Sequence, residues 1–298
     1  MAVLQPVRGM HAAATQCGSI LRELPRELLQ RVAETLLLRD MTAFARASTV
    51  CWTAALAALP VIVSAEVLQH LKAGITINDA LCRLCPALVV PPGVTSIGAN
   101  AFDECSSLTS IVLPAGLTSI GEDAFLSCDS LVSVTLGDAL ISVGHGSFFR
   151  CESLTSVSLP KTCAKIDMRG FALCSALKSI TLPAAVAEIG TGAFMCCDEL
   201  LSIAVPDKVV IIEDETFYGC HSLISVSLPA NLATIGRLAF MRCASLKCIA
   251  LPDSVNFIHP HAFVGCCQLD EPSRARILEL SPAAFFHDVD SSGEESDS

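Results

Sequence analysis

Sixteen cysteines among 298 residues are the densest chemical signal in this sequence. A thiolate can ligate zinc, exchange disulfides or act as a nucleophile. Eight of the cysteines recur every 23 residues: Cys105, Cys128, Cys151, Cys174, Cys197, Cys220, Cys243 and Cys266. If each period is one coil, successive sulfurs lie about 4.8 Å apart in single file. Zinc wants four ligands converging on a point, so a file of thiols predicts packing instead. Cys82-Arg-Leu-Cys85 is a Cys-x-x-Cys with no second pair. Cys196-Cys197 and Cys266-Cys267 each join a column cysteine to an ordinary neighbour. His259-Pro-His261 lies in a turn, and the repeat sets no carboxylate beside it. Gly144-His-Gly146 reads as a turn, not a phosphate-binding loop, and no nucleophile elbow is present. No catalytic residues, metal ligands or cofactor site are expected, and the chain reads as a non-enzyme.

The elements that position these thiols are written eight times without a gap between residues 90 and 273. Three residues before each column cysteine stands Phe102, Phe125, Phe148, Phe171, Phe194, Phe217, Phe240 or Phe263. Three residues after it stands Leu108, Leu131, Leu154, Leu177, Leu200, Leu223, Leu246 or Leu269. A fixed period of this size predicts a solenoid, one coil per copy. Ser133-Val134-Thr135-Leu136 alternates as a strand does, with Val and Leu inward. Pro114, Pro160, Pro183, Pro206, Pro229 and Pro252 then end the strand, since Pro cannot donate to a ladder. A second short strand is expected at Ile97, Ile120, Val143, Ile166, Ile189, Ile212, Ile235 and Ile258. Gly98, Gly121, Gly144, Gly190 and Gly236 follow it, where a turn is expected to need positive φ. Asp167, Glu213 and His259 break that column. Asp tolerates the left-handed region best, so the sixth and eighth turns are the ones expected to be reshaped.

Composition agrees with a repeat core. Hydrophobic residues reach 52% but aromatics only 5%, so Leu, Ile, Val, Ala and Cys must fill the interior. The formal charge of −11 argues against nucleic-acid and anionic-membrane partners, which are bound through basic patches. The first 18 residues hold no continuous apolar segment of the signal-peptide kind. Leu56 to Val63 is too short to span a bilayer and is broken by Pro60. A reducing, cytoplasmic or nuclear setting with free thiols is the expectation.

Residues 1–20 are Ala-rich, weakly patterned and read as a disordered N-terminus. In residues 21–58, Leu28, Leu29, Val32 and Leu36 recur at helical spacing. Pro25 and Glu27 suit a first helical turn, and Asp40 can cap a second helix bearing Met41 and Phe44. This run resembles the F-box, a small three-helix module, on Leu24-Pro25, Glu27-Leu28, Val32, Leu36, Arg39-Asp40-Met41 and the ending at Trp52. It departs from the family at Leu38, where Pro is usual, and at Trp52, displaced by one residue. The resemblance implies docking on the Skp-type adaptor of a cullin ubiquitin ligase through Leu24, Pro25, Leu28, Val32, Leu36 and Met41. The alternative is an amphipathic helical cap on the solenoid. Residues 59–89 read as a linker and N-terminal cap. Within it, Asp79 to Leu88 looks like a degraded half-repeat in which Cys85 and Leu88 keep the Cys-x-x-Leu spacing.

The repeat block resembles the BspA-type leucine-rich repeats in all eight copies. It lacks the Asn that follows the strand in ordinary leucine-rich repeats, and its cysteine precedes the strand. The expected fold is thus a mainly β solenoid of eight 23-residue coils with a small N-terminal helical module. The eighth copy fails after Leu269, so 274–287 is read as a C-terminal cap, with a helix over Arg274 to Leu280 and Phe285-Phe286 over the last coil. Residues 288–298 are too acidic and polar to fold, and Ser291, Ser292 and Ser296 there resemble acidophilic-kinase sites. Outward strand positions form a hydroxyl-rich face, and beside it runs the more varied row Thr109, Val132, Thr155, Lys178, Leu201, Ile224 and Lys247. That row is the candidate partner-binding surface. The two resemblances together imply a substrate receptor that holds a protein for ubiquitylation. The alternative is a structural or adhesive BspA-like repeat protein.

Overall fold

A computed structural model describes residues 86–285 together with Ile77, Cys82 and Arg83. The F-box-like stretch 21–58, with all six of its adaptor-docking residues, lies outside the described residues, as do 1–20, Phe286 and the acidic 288–298.

Two rows of parallel strands run along the solenoid. The first comprises β1 (Ala87–Val89), β3 (Ser110–Val112), β5 (Ser133–Thr135), β7 (Ser156–Ser158), β9 (Ser179–Thr181), β11 (Ser202–Ala204), β13 (Ser225–Ser227) and β15 (Cys248–Ile249). The second comprises β2 (Ser96–Ile97), β4 (Ser119–Ile120), β6 (Ser142–Val143), β8 (Lys165–Ile166), β10 (Glu188–Ile189), β12 (Ile211–Ile212), β14 (Thr234–Ile235) and β16 (Phe257–Ile258). Register follows the period: Ser110 pairs Ser133 and Ile97 pairs Ile120. About seven turns close as strand-to-strand coils. The eighth copy ends instead in a helix, α1 (Glu271–Leu280).

Pro272, which forbids an eighth long strand, sits in the first turn of α1, where a missing N–H costs nothing. The helix therefore starts three residues earlier than the sequence suggested. Asp270 caps it, its carboxylate accepting from the Ser273 N–H at 3.0 Å. The Ser273 hydroxyl in turn accepts the Ile249 N–H at 3.1 Å, so a side chain completes the ladder at β15. Ile277 is buried, and the Phe285 ring packs 6.2 Å from Phe263, with the Arg274 guanidinium 4.6 Å above it.

The Phe column is fully buried and forms one continuous stack. Ring centroids step by 5.0 to 5.8 Å with interplanar angles of 1° to 17°. That spacing is the coil rise itself, so parallel stacking is imposed by the ladder rather than chosen by the rings. The turns bearing Phe102 to Phe240 are built from left-handed residues two before and two after the ring, such as Asp123 and Ser127 around Phe125, whereas Phe263 has only Gly265 after it. Inter-coil hydrogen bonds hold the Phe125 turn: Asp123, Phe125 and Ser127 N–H donate to the carbonyls of His145, Ser147 and Phe149. Such strained residues persist where the surroundings over-determine them.

The positive φ expected at Gly98, Gly121, Gly144, Gly190 and Gly236 is absent there and falls two residues later, at Asn100, Asp123, Gly146, Arg169, Gly192, Glu215 and Leu238. Close approach explains the glycine column instead. A Cβ on Gly144 would lie 2.5 Å from the Ile120 carbonyl oxygen, and one on Gly190 2.5 Å from the Met168 nitrogen. On Gly98, in the first coil, it would meet nothing within 4 Å. Gly144→Ala should therefore cost about 1–3 kcal/mol by overpacking, and Gly98→Ala should be neutral or slightly stabilising. Denaturant midpoints of the two variants check this contrast; equal effects would contradict it.

The sixth turn is reshaped, by a different route from the one expected. Along the second row, the bond from Ala187 N–H to the Ala164 carbonyl recurs from Thr118–Thr95 to Asn256–Ala233, and that from Gly190 to Ile166 recurs from Gly121–Ile97 to His259–Ile235. Both are missing at one step only, where Val210 and Glu213 should donate to Ala187 and Ile189. The second row accordingly splits between β10 and β12, and the first row divides one coil earlier, between β9 and β11. Glu213 stands at the step between β10 and β12, in a column that is glycine in five of the eight coils. Asp167 occupies the same column without this effect: its carboxylate bonds the Met168 N–H at 2.9 Å, and Asp167 N–H still reaches Val143. His259 also keeps its ladder bond, to Ile235.

Candidate partner-binding surface

The column cysteines face inward and are structural. From Cys128 onward each Sγ–H donates to the carbonyl of the Phe one coil earlier: Cys128 to Phe102 at 3.2 Å, Cys174 to Phe148 at 3.1 Å, and so on to Cys266 and Phe240. The thiol thus performs the inter-coil bonding that a buried polar side chain must find, at the size of a small hydrophobe. Burial pushes the thiols up, to about 12 for Cys174 and Cys266. A thiolate is the reactive form, so these groups are held inert.

The half-repeat before the first copy has a different register from the sequence reading. Leu88 pairs Ile111, which puts Cys82, not Cys85, in line with Cys105. Cys82 is buried, and Cys85 lies outside the described residues. Ile77 is the residue that ends the first thiol file: its carbonyl accepts from Cys105 Sγ at 3.2 Å. Among the described residues, no three His, Cys, Asp or Glu side chains converge to hold a metal ion, and no helix is long and apolar enough to cross a membrane. His259 and His261 lie ring to ring at 5.5 Å.

The structure brings the row Thr109, Val132, Thr155, Lys178, Leu201, Ile224 and Lys247 into one file, just ahead of the first strand row. Its backbone is spent on the ladder, Val132 N–H donating to Thr109, Ile224 to Leu201 and Lys247 to Ile224. Recognition by this file must therefore use side chains. Leu201 and Ile224 stand next to each other at 50% and 40% exposure, and Val132 is 46% exposed. Lys178 is tied to Glu199 at 3.5 Å, a surface pair of little energetic consequence. Val89 and Val112 add exposed apolar surface at the N-terminal end of the adjoining strand row.

Sequence reasoning missed the opposite face. Ile141, Met168, Val210, Ile211 and Phe257 are exposed along the second row. For Ile211 and Phe257 the signal was present in one column, Ser119, Ser142, Lys165, Glu188, Ile211, Thr234 and Phe257, in which they are the two apolar members. At the β10–β12 opening, a groove of about 430 Å³ is lined by Lys165, Asp167, Met168, Glu188, Val210 and Glu213, among others. Lys165 bonds Glu188 at 3.3 Å and Asp167 at 3.4 Å, which raises its pKa, chiefly through the bond to Glu188.

The family model for the BspA type leucine rich repeat region matches six copies, over residues 80–200 and 142–270. The chain belongs to the BspA-type leucine-rich repeat family. Among solved structures, the T. pallidum leucine rich repeat protein is similar at 29% identity, covering 67% of this chain and 86% of that one, with a TM-score of 0.54. A leucine-rich repeat protein from Bacteroides ovatus is 26% identical, covering 63% and 72%, with a TM-score of 0.35. No match was found among curated proteins. The BspA-type match stops short of residues 21–58, so it speaks for the repeats alone.

Proposed function

We propose that this BspA-type chain is a protein-binding scaffold of the structural or adhesive kind, without catalytic chemistry of its own. One observation carries the reading. A file of side chains is displayed at the coil rise while the column thiols are buried behind it. The exposed Leu201–Ile224 pair supplies apolar contact and Lys178 and Lys247 supply polar definition.

Immobilised protein tests this by comparing what the wild type and a Leu201→Glu/Ile224→Glu variant retain, with Ile141→Glu on the far side as control. The proteins retained by the wild type should fall at least about tenfold on the double variant and stay on the control, with melting temperatures unchanged. Equal retention by all three would remove the row from the account.

The ubiquitin-ligase reading rests on the F-box resemblance of residues 21–58 alone, and the repeat family supports the scaffold without it. Its partner would be a Skp-type adaptor, and its cargo a protein bound by the solenoid. Purified adaptor that binds the full chain and loses Leu24→Ala/Pro25→Ala, with the repeats melting unchanged, would establish it. No binding at micromolar concentration leaves the scaffold alone.

A further inference from the structure

We propose that the groove between β10 and β12 binds an extended peptide segment carrying basic and apolar side chains in alternation. Four backbone groups face this gap without a hydrogen bond: the carbonyls of Ala187 and Ile189 and the N–H groups of Val210 and Glu213. Everywhere else along the second row the equivalent groups bond each other. Unpaired ladder groups cost free energy unless something satisfies them. A guest that both donates and accepts at the strand repeat is a peptide backbone, and addition of a strand to an open ladder is an established mode of peptide capture.

The walls select the guest's side chains. Met168, Val210 and Ile211 are exposed apolar surface at the groove, 38%, 45% and 41% accessible. Asp167, Glu188 and Glu213 bring three carboxylates against the single cation Lys165, which is already paired with two of them. The excess charge is negative, so a cationic side chain is favoured and an anionic one repelled. Phe194 and Phe217, on the same two coils, remain stacked at 5.7 Å, and the turn bonds from Gly192 to Asp214 and from Phe194 to Thr216 are intact. The coils are therefore hinged at the Phe side and open at the second strand row.

The residue at 213 supplies the test. In hydrogen exchange on the full chain, the amides of Val210 and Glu213 should exchange at least about tenfold faster than those of Ala233 and Gly236. Glu213→Gly and Glu213→Asp, the residues that keep the ladder bond at Gly190 and Asp167, should close the ladder and protect Val210 and residue 213. Acetyl-Val-Lys-Val-Lys-amide should then protect Val210 in the wild type, with no effect on Glu213→Gly or Glu213→Asp. Acetyl-Val-Glu-Val-Glu-amide should not protect it. Equal protection at Val210 and Ala233 in the free wild type would overturn the opening. Failure of the Lys peptide to protect, or equal protection by the Glu peptide, would overturn the ligand assignment.

Discussion

Raising the pH from 8 to about 10.5 should unfold the solenoid in one cooperative step. Burial raises the pKa of seven column thiols, Cys128, Cys151, Cys174, Cys197, Cys220, Cys243 and Cys266. A raised folded pKa means that the fold holds the proton more tightly than the unfolded chain does. The stability from each thiol is therefore complete below the unfolded value of about 8.5 and is lost as pH climbs toward the folded one. Cys174 and Cys266 reach about 12, so the window of loss runs from about 8.5 to about 12. Each thiol costs about 1.4 kcal/mol per pH unit in that window, and seven together roughly 10 kcal/mol per unit. A domain stability on the order of 5–15 kcal/mol is spent within one to two units. Circular dichroism against pH checks this. Replacing Cys151 and Cys174 by Ala should shallow the alkaline slope of stability by about two sevenths. A solenoid still folded at pH 11.5 would contradict the burial of these thiols.

Phe171→Ala should cost about 3–5 kcal/mol. The ring is fully buried at mid-array, with neighbours at 5.3 Å and 5.8 Å. Its loss leaves a hole that the ladder on either side keeps from collapsing, because the coil rise is fixed by backbone bonds through Phe171 N–H to Ala193 and Phe148 N–H to Gly170. Since a repeat array is stabilised by nearest-neighbour interfaces, one gap weakens both adjoining coils. Phe285→Ala, on a ring that caps only one side of the stack, should cost clearly less. Denaturant titration of the two variants measures the difference. A Phe171 loss below about 1 kcal/mol would mean that the column is not the spine of the fold.

Wherever one side chain does one job in every coil, the sequence could be read directly. The Phe, Cys and Leu columns each occupy one invariant environment, so type and period together implied inward packing. The closing helix was legible from the failure at Pro272, although its start was misplaced because a proline that ends a strand can also begin a helix. The row Thr109 to Lys247 was legible as a row, since register follows from the period. What failed were inferences that need the distance between coils. Glycines at 121, 144 and 190 look like turn residues in sequence, and only the approach of the neighbouring backbone shows that they are spacers. Cys85 matched the repeat spacing better by eye than Cys82, yet strand pairing at Leu88 places Cys82 in the thiol column. Phe257 looked like any strand residue until its outward position on the second row was known. The opening at β12 combines both limits: Glu213 was visible as a break in a column, but so were Asp167 and His259, and only the backbone bonds separate the one open step from the two closed ones.

The column cysteines, the most reactive-looking residues here, are buried packing elements in a scaffold. Timed alkylation of the native chain at pH 8, mapped by mass spectrometry, tests this most directly. Cys248 and Cys267 are exposed and should label within minutes, with half-buried Cys196 slower. Cys128, Cys151 and Cys220 should stay unlabelled until denaturant is added and then react in full. Rapid native labelling of any of those three would contradict the inward column and, with it, the solenoid described.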